Sequence, residues 1–166
     1  MRDELTKEDI KMMQAELDAL RAEMPAILEE VKRTRAFGDL SENFEYKAAK
    51  QAQNQNRNRI RYLEGMIKSA HIIADRSADD EVGLFDKVEI YIPEDDETQI
   101  IQVVTTIRCN PLEGRISRES PFGKSVLGRK VGDKITVQVN ENYSYEAEIK
   151  SITKTEDDGS APILQY

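Results

Sequence analysis

Two carboxylates fall within four residues in the segment Gly38-Asp39-Leu40-Ser41-Glu42-Asn43. Oxygens at that spacing suit two kinds of chemistry. Asp39 can accept hydrogen bonds from the first amides of a following helix, while Glu42 three residues on completes a capping-box-like pair and favours the positive end of the helix dipole. Alternatively, the pair offers two oxygen ligands to a hard cation such as Mg²⁺, which takes few carboxylates and completes its octahedron with water or phosphate oxygens. Two protein ligands hold Mg²⁺ weakly, so such a site works only inside a partner that supplies the remaining ligands.

A second group follows in the sequence. Lys47, Lys50, Arg57 and Arg61 each stand one residue past Tyr46, Ala49, Asn56 and Ile60, positions of a repeat with helical spacing. They therefore share a stripe about 100° round the helix from that repeat, and Arg59 lies off it. The stripe is either a solvated face or a track for a nucleic-acid backbone or an acidic protein wall. Ser41 and Asn43 complete the polar set.

Counting excludes most other chemistry. With one cysteine, Cys109, and one histidine, His71, the chain has too few members for the usual Cys/His zinc sites or for Ser-His and Cys-His relays. Both residues are expected to pack or cap. The eight glycines form no phosphate-binding loop or dinucleotide fingerprint. No apolar run approaches the roughly 18 residues that cross a bilayer, which predicts a cytoplasmic protein with no membrane partner.

The net charge of −8 argues against bulk electrostatic wrapping of nucleic acid. The charge is uneven, however. Residues 1–30, 31–70 and 71–166 carry net charges of −5, +5 and −8. One basic segment sits inside an acidic protein.

The elements that must position these residues are legible in the spacing. Ile10, Met13, Leu17, Leu20, Met24, Ile27 and Val31 step by three and four, the heptad pattern of a coiled-coil seam. Thr6 with Asp9 reads as the N-terminal cap, and Pro25 is expected to bend the helix slightly or cost it a hydrogen bond without ending it. The second repeat runs Tyr46, Ala49, Gln53, Asn56, Ile60, Leu63, Ile67, Ala70. Joined by a short turn at Gly38, the two helices must lie antiparallel, and at 1.5 Å per residue the hairpin reaches about 40 Å. Gln53 and Asn56 place amides in the seam, where they cost stability but fix register.

Residues 75–81 read as an acidic linker. Beyond them the period becomes 2. Val88, Ile90 and Ile92 alternate with Glu89 and Tyr91, a turn follows at 93–97, and 99–107 returns as a strand. Ile135, Val137 and Val139 make another alternating run, and after a turn over 140–144 so do Tyr145, Ala147 and Ile149. Ser120-Pro121 begins a helix of about two turns that Gly128 ends. The fold class is α+β, with an antiparallel coiled-coil hairpin over residues 1–75 and a small antiparallel sheet with one short helix over 76–166.

The segment from Gly38 to Lys50 resembles the tip motif of the bacterial Gre-type transcript cleavage factors, nearer to the GreA branch than to the GreB branch. The run Asn110-Pro111-Leu112-Glu113-Gly114-Arg115-Ile116-Ser117, continuing from Ser120 through Asp133, resembles the C-terminal domain of the same family. The resemblance implies an FKBP-like C-terminal domain that docks near the rim of the RNA polymerase secondary channel, with the coiled coil passing down the channel. There the nascent RNA 3′ end of a backtracked complex is extruded. The family's acidic pair helps hold an Mg²⁺ of the polymerase active centre and orient the attacking water. Carried over by position, Asp39 and Glu42 are the metal-site pair, Ser41 and Asn43 position it, and no cofactor is bound by the chain alone. Phase along the second helix makes Lys47, Lys50, Arg57 and Arg61 the candidate RNA-facing patch.

The expected protein is a monomer that activates the polymerase's own chemistry and is no enzyme by itself. A non-cleaving secondary-channel regulator is the alternative, and a peptidyl-prolyl isomerase or chaperone is suggested by the C-terminal fold alone. The turn Asn140-Glu141-Asn142-Tyr143 and the acidic tail from Thr153 depart from the family pattern.

Overall fold

In the computed structural model, residues 3–38 and 43–165 are described. The chain divides into two compact units, Met1–Leu5 with Asp9–His71, and Thr6–Glu8 with Ile72–Tyr166.

The first unit is the helical hairpin. Helix α1 spans Lys7–Arg35 and runs through Pro25 without ending, and α2 spans Phe44–Ser69. Two-residue strands, β1 (Glu4–Leu5) and β2 (His71–Ile72), pair with each other, and the His71 amide donates to the Asp3 carbonyl at 2.9 Å. His71 therefore lies in a strand, exposed, rather than closing α2. Every seam position inferred from the spacing is buried or half-buried. Met13, Leu17 and Leu63 are the most enclosed apolar side chains, at 3% exposure or less. Burying each of these side chains contributes about 1.5–3 kcal/mol.

Of the two seam amides, one acts as a register pin. Asn56 Nδ2 donates to the Leu20 carbonyl of the facing helix at 3.2 Å, a bond that a one-residue slip would break. Gln53 Oε1 instead accepts from Lys50 Nζ at 3.0 Å. Beside the seam, Arg59 grips Glu16 with two bonds of 2.7 and 3.1 Å, and Arg21 meets Glu64 at 2.6 Å.

The second unit is a five-stranded sheet carrying a short helix. Its strands are β3 (Lys87–Ile92), β4 (Glu97–Val104), β5 (Arg115–Ser117), β6 (Lys134–Asn140) and β7 (Tyr143–Thr153), in the spatial order β5-β4-β3-β7-β6. The alternation seen in the sequence places Val88, Ile90, Ile135, Val137, Ala147 and Ile149 in one core. Val139, expected to continue the run, is exposed at the strand end. Helix α3 (Pro121–Val126) begins as its sequence indicates: Ser120 Oγ accepts from the Gly123 amide at 3.0 Å, with Pro121 at the first helical position. Gly123 is required here, because a Cβ on it would sit 2.1 Å from the Ser117 carbonyl oxygen.

Three features differ from expectation. The sheet is mixed, because β5 pairs parallel with β4. The chain leaves β4 at Val104, three residues short of the expected end, and passes through 3-10 turns at Thr106–Arg108 and Pro111–Glu113. It returns through Gly114, whose φ of +77° only glycine adopts cheaply.

The acidic linker is held in place. Lys154 Nζ donates to Ser77 Oγ and to the Ala78 and Glu81 carbonyls, and pairs with the buried Asp86 at 2.6 Å. Immediately after the linker, Val82, Leu84 and Phe85 enter the core.

The acidic tail is also packed. Asp157 pairs with the fully buried Arg108, Ile163 is 6% exposed, and the Leu164 amide donates to the Ile107 carbonyl at 2.7 Å. No described helix is long and apolar enough to cross a membrane.

Candidate functional site

The residues that lead into and out of the hairpin turn are organised by two polar side chains. Thr34 follows Val31 by three residues and so occupies the next seam step. Its Oγ1 donates back to the Glu30 carbonyl at 2.9 Å, and the side chain is fully buried. Asn43 sits opposite. Its Oδ1 accepts from the Tyr46 amide at 3.0 Å, which makes it the N-cap of α2, and its Nδ2 donates to the Thr34 carbonyl at 2.6 Å. One asparagine thus caps α2 and ties it to the end of α1. This corrects the capping alternative drawn from the sequence, since the cap is Asn43, four residues beyond Asp39.

Asp39, Leu40, Ser41 and Glu42 lie outside the described residues. Before them, Gly38 has φ of +103°, a backbone that glycine adopts without the strain of a side chain. Glu45 stands in the first turn of α2, where a carboxylate complements the helix dipole. Lys32, Arg33 and Arg35 crowd the last turn of α1, the end that favours cations. Arg33 bonds Glu30 through Nε at 2.9 Å and Nη2 at 2.6 Å, and reaches Glu45 at 3.6 Å. The Arg33 hydrogen bonds hold the Glu30 carboxyl below the usual carboxylate range.

The inferred basic stripe divides into two kinds of residue. Lys47, Arg57 and Arg61 are exposed, and among the described residues Arg57 and Arg61 have no ion-pair partner. Lys50 is half-buried and engaged with Gln53. Arg59, placed off the stripe by phase, is the arginine that holds Glu16, with its own side chain only 10% exposed.

Two aromatic residues near the turn were missed from the sequence. Phe37 is 55% exposed and Phe44 is 79% exposed. Each carries a cation over its ring: Arg33 lies 5.1 Å from the Phe37 centroid, and Lys47 Nζ lies 5.5 Å from that of Phe44. Their signal was their position outside both heptad seams. Among the described residues, no group of three or more His, Cys, Asp or Glu side chains is placed to hold a metal ion.

Comparison with known proteins is consistent along the chain. Residues 4–72 match the family described as "Transcription elongation factor, N-terminal", and residues 77–154 match "Transcription elongation factor, GreA/GreB, C-term". The chain is 38% identical over 153 residues to transcription elongation factor GreA of Oenococcus oeni, covering 90% of this chain and 94% of that protein. It is 42% identical over 136 residues to GreA of Geobacillus kaustophilus, covering 81% and 86%. Among solved structures, it is similar to Gfh1, the GreA factor homolog 1 of Thermus thermophilus, with 26% identity, a TM-score of 0.44, and coverage of 93% of this chain and all of that one. With both halves matched in order and identity near 40% over most of its length, the chain belongs to the GreA/GreB family of transcription elongation factors.

Proposed function

We propose that this protein enters the secondary channel of bacterial RNA polymerase and stimulates the polymerase's own endonucleolytic cleavage of backtracked nascent RNA, rescuing arrested complexes. The observation that carries this reading is the cap. Asn43 already supplies the side-chain cap of α2, so the carboxylates of Asp39 and Glu42 need not serve as that cap. Two acidic residues at the turn of a hairpin about 40 Å long are then available to a partner.

Their chemistry fits the ion inferred from the sequence. Asp39 and Glu42 supply hard oxygen ligands of the kind Mg²⁺ prefers, and two are too few to hold it without the polymerase. When bound, the ion would supply Lewis acidity and lower the pKa of a water. The chain's own contributions are of three kinds. Asp39 and Glu42 add negative charge and acceptors for the attacking water. Asn43, with Ser41, fixes where the pair stands. Lys47, Arg57 and Arg61 attract the phosphates of extruded RNA, with Lys50 in a lesser part. The sheet unit, residues 80–152, docks on the polymerase. The protein acts as a monomer in the cytoplasm, where the polymerase works, and is no enzyme alone.

The test is a cleavage assay on stalled, backtracked polymerase complexes. Shortened RNA with a released 3′ fragment is the expected result. Inhibition without cleavage would assign the chain to non-cleaving channel regulators, and no effect would remove the channel reading altogether.

A further inference from the structure

We propose that the exposed ring of Phe44 is a stacking platform for an unpaired base of the extruded RNA, an inference that rests on the proposed entry into the polymerase channel. Phe44 is the first residue of α2 and is 79% exposed. Nothing in the hairpin requires an aromatic there, because the seam is filled by Thr34 and Ala49 and the helix start is capped by Asn43. The chain's other phenylalanines outside the hairpin, Phe85 and Phe122, pack into or against the core of the sheet unit. A lone exposed ring needs no explanation by itself, but this one stands at the start of α2 with a cation beside it.

The surrounding charge identifies the partner. Lys47 Nζ lies 5.5 Å from the Phe44 ring centroid, and the exposed Arg57 and Arg61 continue along the same helix. The segment 31–70 is net +5 in a chain of −8. A ring beside cations is complementary to single-stranded nucleic acid, in which a flat base and a phosphate arrive together. Stacking tolerates every base, as a factor that meets RNA of any sequence requires. Phe37, with Arg33 5.1 Å from its ring centroid, repeats the combination at the end of α1.

The test uses backtracked polymerase complexes whose extruded base is 5-iodouracil, which photocrosslinks to stacked aromatic rings, together with full-length wild-type, Phe44→Leu and Phe44→Trp proteins. The wild-type crosslink should map to Phe44 and be retained in Phe44→Trp. Phe44→Leu, which keeps apolar bulk without a flat ring, should lose the crosslink and slow stimulated cleavage by about 5- to 150-fold. An abasic extruded nucleotide should slow the wild type to the Phe44→Leu rate. A crosslink at Phe44 without stimulated cleavage would uphold the stack and overturn the cleavage reading. Stimulated cleavage with no Phe44 crosslink and full activity in Phe44→Leu would overturn the stack alone, and would assign the ring to an apolar protein wall.

Discussion

Arg108 and Asp157, 49 residues apart, form a two-pronged ion pair with bonds of 2.7 and 2.6 Å, and the arginine side chain has no solvent exposure. Its Nε donates to the Ala161 carbonyl at 2.6 Å, and its guanidinium carbon lies 4.8 Å from the Phe85 ring centroid. The C-terminal segment is therefore structural. Asp157→Ala should destabilise the sheet unit by about 3–5 kcal/mol, because a buried guanidinium loses a two-pronged carboxylate partner. Denaturant unfolding of the full chain measures this. Arg108→Met combined with Asp157→Ala should recover part of the loss, and an uncoupled pair of effects would sink the interpretation.

Asn43 does two jobs that substitutions can separate. Asn43→Ala should cost about 0.5–2 kcal/mol from the lost cap. Asn43→Asp keeps an acceptor for the Tyr46 amide and removes the donor to the Thr34 carbonyl. It should retain helix content by circular dichroism while reducing stimulated cleavage, if the tie to Thr34 is what holds the turn in place. Equal activity in wild type and Asn43→Asp would reduce the residue to a cap.

Asp39→Asn and Glu42→Gln should each lower stimulated cleavage by about 10²-fold or more, with partial recovery at raised Mg²⁺ or Mn²⁺. Thermal unfolding should be unchanged, because the cap lies at Asn43. Both variants should still compete with wild type for polymerase. Full activity in either would remove that carboxylate from the metal site.

Reversing the charges of Lys47, Arg57 and Arg61 should weaken cleavage of long extruded RNA in a salt-dependent way and leave stability near wild type. Arg59→Ala should do the opposite: its partner Glu16 is mostly buried, so the hairpin loses stability while the stripe stays intact. Adding Lys50 to the reversal should bring a stability cost through its bond to Gln53. A stripe variant that loses polymerase binding but keeps its cleavage rate per bound complex would make the stripe a docking surface.

The hairpin was legible because a seam repeats: Ile10 to Val31 and Tyr46 to Ala70 carry the period in their own residue types. Thr34 is the next step of the same repeat, but its hydroxyl hid it from a search for apolar residues. The parallel strand β5 left no trace in the pattern, because three half-buried residues held by pairing with Gln102, Val103 and Val104 show no alternation of their own. Lys154 and Asp157 read as members of an acidic tail because their partners, Asp86 and Arg108, are dozens of residues away. Charge pairing at that distance leaves no local period. Phe37 and Phe44 were visible as residues, but their exposure becomes apparent only once the seams are assigned.

The seam also changes character along its length. Near the base, Met13, Leu17 and Leu63 are fully enclosed, whereas toward the turn the buried places go to Gln53, Asn56 and Thr34 with the small Ala49, and Met24, Ile27 and Val31 are only half-buried. Apolar burial resists local opening more strongly than hydrogen-bonded amides that trade one partner for water. Amide protons should therefore exchange progressively faster from base to turn, in a gradient rather than in one cooperative step. Within the hairpin the apolar root is then the half that opens last, and the hydrogen-bonded seam of Gln53 and Asn56 the part that opens before it.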